Sequence, residues 1–102
     1  MSYFVLKNSV ENYIMLENSM RVVRKPEVKN LLGISHSTLH ERINEGLLPK
    51  PFRLSGRAVG WYEYEIQYIL SALAAEVSDS ALADVVNTLI KKRKEAWASL
   101  RQ

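Results

Sequence analysis

Within the five residues Leu31-Leu32-Gly33-Ile34-Ser35 the chain carries a signal to end one helix and a signal to begin the next. Gly33 can take the left-handed backbone conformation that closes a helix. Ser35 can cap the helix that follows, because its hydroxyl accepts from an amide that has no partner inside the helix. On the upstream side, Pro26 suits the first turn, where its missing N–H costs nothing, and Glu27 suits the positive end of the helix dipole. Val28, Leu31 and Leu32 recur at helical spacing and share one face. Downstream, the apolar side is thin, with Leu39 and Ile43 four apart, and Gly46 ends the helix. Two short helices joined by a turn of about three residues form the outline of a helix-turn-helix.

The polar side of the second helix presents Ser35, His36, Ser37, Thr38, His40, Glu41 and Asn44. Residues at the start of such a helix reach base edges in a major groove. Serine, threonine and asparagine both donate and accept there, and asparagine matches adenine. The same pattern also describes an ordinary solvated helix face. Pro49 and Pro51 then force extended backbone. Phe52-Arg53-Leu54, a turn at Ser55-Gly56, and Arg57-Ala58-Val59-Gly60-Trp61 read as a hairpin. Phe52, Leu54 and Trp61 are expected to bury, while Lys50, Arg53, Ser55 and Arg57 stay out. A basic hairpin beside such a helix can enter a minor groove or hold phosphate; the plainer alternative is a set of solubilising charges.

Several short signatures here occur in a fixed order: Pro-Glu-Val, Leu-Leu-Gly-Ile-Ser with Ser-Thr-Leu after it, Glu-Gly followed by Pro-Lys-Pro, and Arg-Ala-Val-Gly-Trp. Over about residues 21–73 the chain resembles the AlpA family of small phage and genomic-island regulators. The resemblance implies a winged helix-turn-helix related to the MerR-type and excisionase folds. It also implies a transcription regulator, a recombination directionality factor assisting an integrase, or both. By position, Ser35, Ser37 and Thr38 match the start of the family's recognition helix, and Arg57, Gly60 and Trp61 match its wing. The chain departs from the pattern at His36, His40 and Glu41, where the family usually has a basic, an aromatic and often a basic residue. A carboxylate in a groove is repelled by phosphate but can accept from cytosine, so the departures bear on the target sequence and the affinity and leave the fold untouched.

The net charge of +3 is modest, but it is segregated. Residues 21–57 carry eight basic and three acidic side chains, and residues 58–90 carry five acids and no Lys or Arg. Residues 91–102 are basic again, with five basic side chains against one acid. A one-sided positive footprint is what binding to a phosphate backbone requires. With no cysteine, disulfides and thiolate metal sites are excluded. No apolar run approaches the roughly 18 residues needed to cross a bilayer, and the first residues lack the pattern of a signal peptide. The expected location is therefore the cytoplasm, with no membrane partner.

Residues 1–20 read as an N-terminal arm or short helix, with Met20 as an alternative start. A helix is expected from Glu63 to about Glu76, with Ile66, Ile69, Leu70 and Leu73 as its core stripe. Asp79 or Ser80 can cap a long amphipathic helix from about Ala81 to Leu100. Leu82, Val86, Leu89 and Trp97 lie on its apolar stripe. That stripe has three competing uses: folding back on the core, self-association, or contact of the basic turn with DNA or another protein. The resemblance, whose members commonly associate on DNA, favours the second a little. The expected divisions are 1–20, a DNA-binding domain over 21–76, and a C-terminal helix over 77–102.

His36 and His40 have the spacing of a metal pair, but Ser37 stands where a zinc-protease helix needs glutamate, and no third ligand is evident. There is no Gly-rich phosphate loop and no nucleophile motif, so no catalytic residue, metal or cofactor is expected. The expected fold is mostly α with a small β-hairpin wing, a winged helix-turn-helix with a long C-terminal helix. The expected function is sequence-specific binding of double-stranded DNA. The alternative is a protein-binding adaptor on the same scaffold that modulates a regulator or integrase.

Overall fold

The computed structural model describes residues 21–101; the expectations for residues 1–20 lie outside them. Seven elements follow in order: β1 (Val22–Val23), α1 (Lys25–Leu32), α2 (His36–Asn44), β2 (Phe52–Ser55), β3 (Ala58–Tyr62), α3 (Glu63–Ala74) and α4 (Asp79–Leu100). The strands form one antiparallel sheet in the order β1-β3-β2.

Local signals set most of these boundaries. The Glu27 carboxylate accepts from the Arg24 amide and so caps α1 from inside its first turn. Gly33 takes φ 66° and ends α1, its N–H donating to the Lys29 carbonyl. Ser35 Oγ accepts from the Thr38 amide at 3.1 Å and opens α2. For α4 the cap is Ser78, one residue before the expected Asp79, with its Oγ accepting from the Ala81 amide at 3.1 Å. Helix α3 stops at Ala74, and Glu76 takes a positive φ of 56° in the turn beyond it.

Strand β1 is a piece that periodicity could not reveal. Its two residues pair with Tyr62 and Trp61 of β3, and the Arg21 carbonyl accepts from the Glu63 amide at 2.8 Å. Arg24, just after it, reaches across to β3, and its Nε donates to the Val59 carbonyl at 2.8 Å. Gly60 makes room for this crossing: a Cβ there would meet the Val23 carbonyl oxygen at 2.8 Å and Val22 Cγ1 at 2.7 Å. Trp61 is fully buried, and its indole N–H donates to the Pro49 carbonyl at 2.6 Å, which fixes the α2–β2 loop to the sheet.

The expected burial of Leu54 is corrected. Arg53 pairs with Val59 and Ser55 with Ala58, so β2 carries one extra residue at Leu54. Such a bulge breaks the two-residue alternation, and Leu54 is left 43% exposed. The turn accordingly lies at Gly56-Arg57 rather than at Ser55-Gly56.

A single core joins Val23, Val28, Leu39, Trp61, Tyr64, Ile66 and Ile69 with Leu82, Val86 and Leu89 of α4. Helix α4 therefore folds back onto α3. This corrects the expectation of a self-association face at Leu82, Val86 and Leu89: they fill the protein's own core. Only Trp97 of that stripe remains exposed, at 62%. Leu70 and Leu73, expected in the α3 core stripe, are 42% exposed, because the buried face of α3 is turned toward Ile66 and Ile69.

One ionic contact runs through this core. Glu65 is completely buried. Its carboxylate accepts from Arg93 Nε at 2.7 Å and Nη2 at 2.8 Å, and Oε1 also accepts from the Tyr62 amide at 3.2 Å. The Arg93 guanidinium lies 5.0 Å from the centre of the Phe52 ring.

Two outcomes follow for stability. Arg93→Ala leaves a buried carboxylate without its cation and should cost about 3–5 kcal/mol in denaturant unfolding; Glu65→Gln combined with Arg93→Met should recover much of that loss. Gly60→Ala drives a methyl into the Val23 backbone and should cost on the order of 2 kcal/mol in the same measurement.

Candidate nucleic-acid interface

The first turn of α2 is built around its cap. Ser35 Oγ accepts from the Thr38 amide and donates to Thr38 Oγ1 at 3.1 Å, so the serine hydroxyl is already committed. Thr38 keeps its own hydroxyl proton for an external acceptor. Leu39 is buried and Ile43 half-buried; Ser37, Glu41 and Asn44 lie on the far side of the helix, while exposed His36 and half-buried His40 lie on the flank between. His36, His40 and Asn44 follow at steps of four residues and make one row along it. The two imidazoles meet edge to face, with ring centres 4.4 Å apart. Among the described residues no group of three or more metal-ligating side chains is assembled.

Helix α1 contributes two cations that a residue-by-residue reading of α2 passed over. The ammonium groups of Lys25 and Lys29 act electrostatically on His36. The His40 imidazole is the largest influence, followed by slight desolvation and then by these two lysines, and together they hold His36 below its ordinary value of 6.5. Two cations of α1 therefore lie within electrostatic reach of the start of α2. The spacing of Lys25 and Lys29, four apart on α1, was the available signal.

On the hairpin, Arg53, Ser55 and Arg57 are exposed, with Ser55 and Arg57 on either side of Gly56 at the tip. The hairpin's base is held firmly, by Trp61 on Pro49 and by Phe52 against Arg93 and the Tyr62 ring. Lys50 is placed differently from the other candidates: it lines a groove between the end of α2 and α4, together with Lys91 and Lys94. The Arg21 side chain, by contrast, pairs with Glu27 and Glu63 and is occupied within the fold.

Residues 21–71 match the family model described as prophage CP4-57 regulatory protein (AlpA), half of the 102-residue chain. The chain belongs to this AlpA family. The matched stretch begins at β1 and runs through α1, α2 and the hairpin into α3. An uncharacterized protein, ORF88, of Enterobacteria phage P4 is similar as well, 41% identical over 46 residues, which are 45% of this chain and 52% of that protein. The chain thus spans about half the length of that curated relative. No solved structure matches the chain. The AlpA-family region includes the α2 face, Lys25 and Lys29 and the basic hairpin, and α4 lies beyond it.

The lowered His36 value carries a sign. The unfolded chain takes up this proton first, so the stability contributed by the neutral imidazole is whole above pH 6.5 and is lost as pH falls through the lower folded-state value. An NMR titration should find the His36 midpoint below 6.5. Between about pH 8 and about pH 5, melting temperature should fall more for the wild type than for His36→Gln.

Proposed function

We propose that this AlpA-family protein is a phage-type regulator that binds double-stranded DNA in a sequence-specific manner, through α2 in the major groove and the β2–β3 hairpin on the flanking backbone or minor groove. The observation that carries this reading is the coincidence of two boundaries. The family match covers the two short helices and the hairpin, and these are the elements that bear the polar row of α2 together with Lys25, Lys29, Arg53 and Arg57. Lys25, Lys29, Arg53 and Arg57 would set register by contacting phosphate, while His36, Ser37, His40 and Asn44 read base edges. Asn44 is suited to adenine, and Glu41 to an exposed cytosine amine. Ser35 serves the cap and contributes to binding through its backbone placement of α2. Lys50 would reach only backbone at the edge of the site.

Acting in the cytoplasm, the protein would regulate transcription, assist excisive recombination beside an integrase, or both. In either role it marks DNA and admits or blocks another protein. Contact between copies on DNA, if it accompanies binding, must use surfaces other than Leu82, Val86 and Leu89, which are buried. The protein is read as a binder rather than an enzyme, in keeping with the regulatory family it belongs to. Among the described residues no helix is long and apolar enough to cross a membrane.

Selection from random duplex DNA, followed by fluorescence anisotropy on the recovered sequence at two salt concentrations, tests the reading. A recovered motif with steep salt dependence supports it. The absence of enrichment would move the assignment to a protein-binding adaptor. Arg57→Ala should weaken binding across sequences and reduce the salt slope by about one; melting temperature should hold, because Arg57 is exposed.

A further inference from the structure

The groove that takes in Lys50 is separate from the α2 reading face. It has a volume of about 480 Å³ and lies between the end of α2 and the middle of α4. Ile43, Val86 and Ile90 form an apolar floor, and Lys50, Lys91 and Lys94 form a basic rim. None of the described residues lining it is acidic; Lys91 also pairs with exposed Glu95, one turn on, at 3.8 Å, and Lys50 and Lys94 complete the rim. Helical periodicity carries the floor onward. Trp97 lies seven residues beyond Ile90 and eleven beyond Val86, and so falls on the same face of α4. It stands 62% exposed, past the end of the packed core. Arg101, seven residues beyond Lys94, continues the basic edge, and its guanidinium lies 5.8 Å from the Trp97 ring centre. The apolar floor thus runs from the end of α2 to Ile90, and Trp97 stands two turns further along the same face of α4, with Lys94 between them.

The chemistry of this surface selects its occupant. A DNA backbone would use the lysines but leave Ile43, Ile90 and Trp97 with nothing to bury against. A second copy of α4 would bring Lys91, Lys94 and Arg101 against the same residues, and like charges across an interface oppose association. A helix with an apolar ridge and flanking carboxylates satisfies both halves, the ridge on the floor and the carboxylates on the rim. We propose that the α2–α4 groove and Trp97 form a docking surface for an acidic amphipathic helix of a partner protein. Trp97 is the anchor, since a large exposed aromatic gains most from being covered. The lysines govern the rate of encounter and reject basic helices. The surface goes beyond the DNA reading and gives a DNA-bound copy a second place to hold a protein.

The test uses the full chain and two synthetic helix-forming peptides of about four turns, both with leucine on one face. One carries glutamate on the other face, and its counterpart carries lysine. Trp61 is buried and already shielded, so a change in tryptophan emission reports Trp97. The glutamate peptide should shift emission to the blue, and the lysine peptide should not. Trp97→Ala should abolish the shift and weaken binding of labelled glutamate peptide by roughly tenfold. Lys91→Glu with Lys94→Glu should weaken it similarly and favour the lysine peptide instead. Arg57→Ala should bind the glutamate peptide as the wild type does, which separates this surface from the hairpin. Equal affinity for both peptides, or none for either, would overturn the proposal. So would loss of duplex binding in the double glutamate variant with peptide binding intact, which would give the surface to DNA. A wild-type dimer in ultracentrifugation that Trp97→Ala dissociates would overturn it in favour of a second copy.

Discussion

The carboxylate of Glu65 has no exposure to solvent, and four parts of the protein depend on how it is satisfied. It caps the start of α3 by accepting from the Tyr62 amide, where β3 ends. It receives two hydrogen bonds from Arg93 in the middle of α4. The same guanidinium covers the Phe52 ring at the start of β2. A buried charge without a partner is far costlier than a buried neutral pair of groups, so the geometry of these contacts leaves little freedom. The angle between α4 and α3, and the base of the hairpin, are set together by one ion pair.

That constraint passes outward to the candidate interface. The hairpin carries Arg53 and Arg57 at positions that matter only if its base stays fixed relative to α2. Two contacts fix it: Trp61 tied to Pro49 in the loop leaving α2, and Phe52 wedged between Arg93 and Tyr62. Arg24 adds a third, crossing bare Gly60 to reach the Val59 carbonyl. Helix α2 and the hairpin are thus tied to one another through the core, and the placement of Arg53 and Arg57 relative to the polar side chains of α2 follows from that packing.

Much of this was legible in the sequence where signals are local. Gly33 and Ser35 announced the turn between α1 and α2, because a left-handed terminator and a hydroxyl cap act within one helical turn. The exposed row on α2 followed from the same period. What was missed depends on partners distant in the chain. Val22-Val23 is too short to show alternation, and it is a strand only because β3 is there to pair with it. Glu65 and Arg93 each look like solvated helix positions until two helices bring them together. The bulge at Leu54 leaves no mark on the hydrophobic pattern, which reads the same with or without an extra residue. The stripe at Leu82, Val86 and Leu89 demanded burial but could not say whether in its own core or a partner's, and the structure chooses the former. Lys25 and Lys29 were visible as charge, but their influence on His36 is a matter of how α1 and α2 cross.

Family resemblance stops at residue 71, yet the carboxylate inside the matched stretch finds its cation at residue 93. The stretch that the family match covers and the stretch that closes the core therefore have different ends. A fragment trimmed to the recognisable part would keep every residue of the α2 face and hairpin but strand an anion in a core opened by the loss of Leu82, Val86 and Leu89.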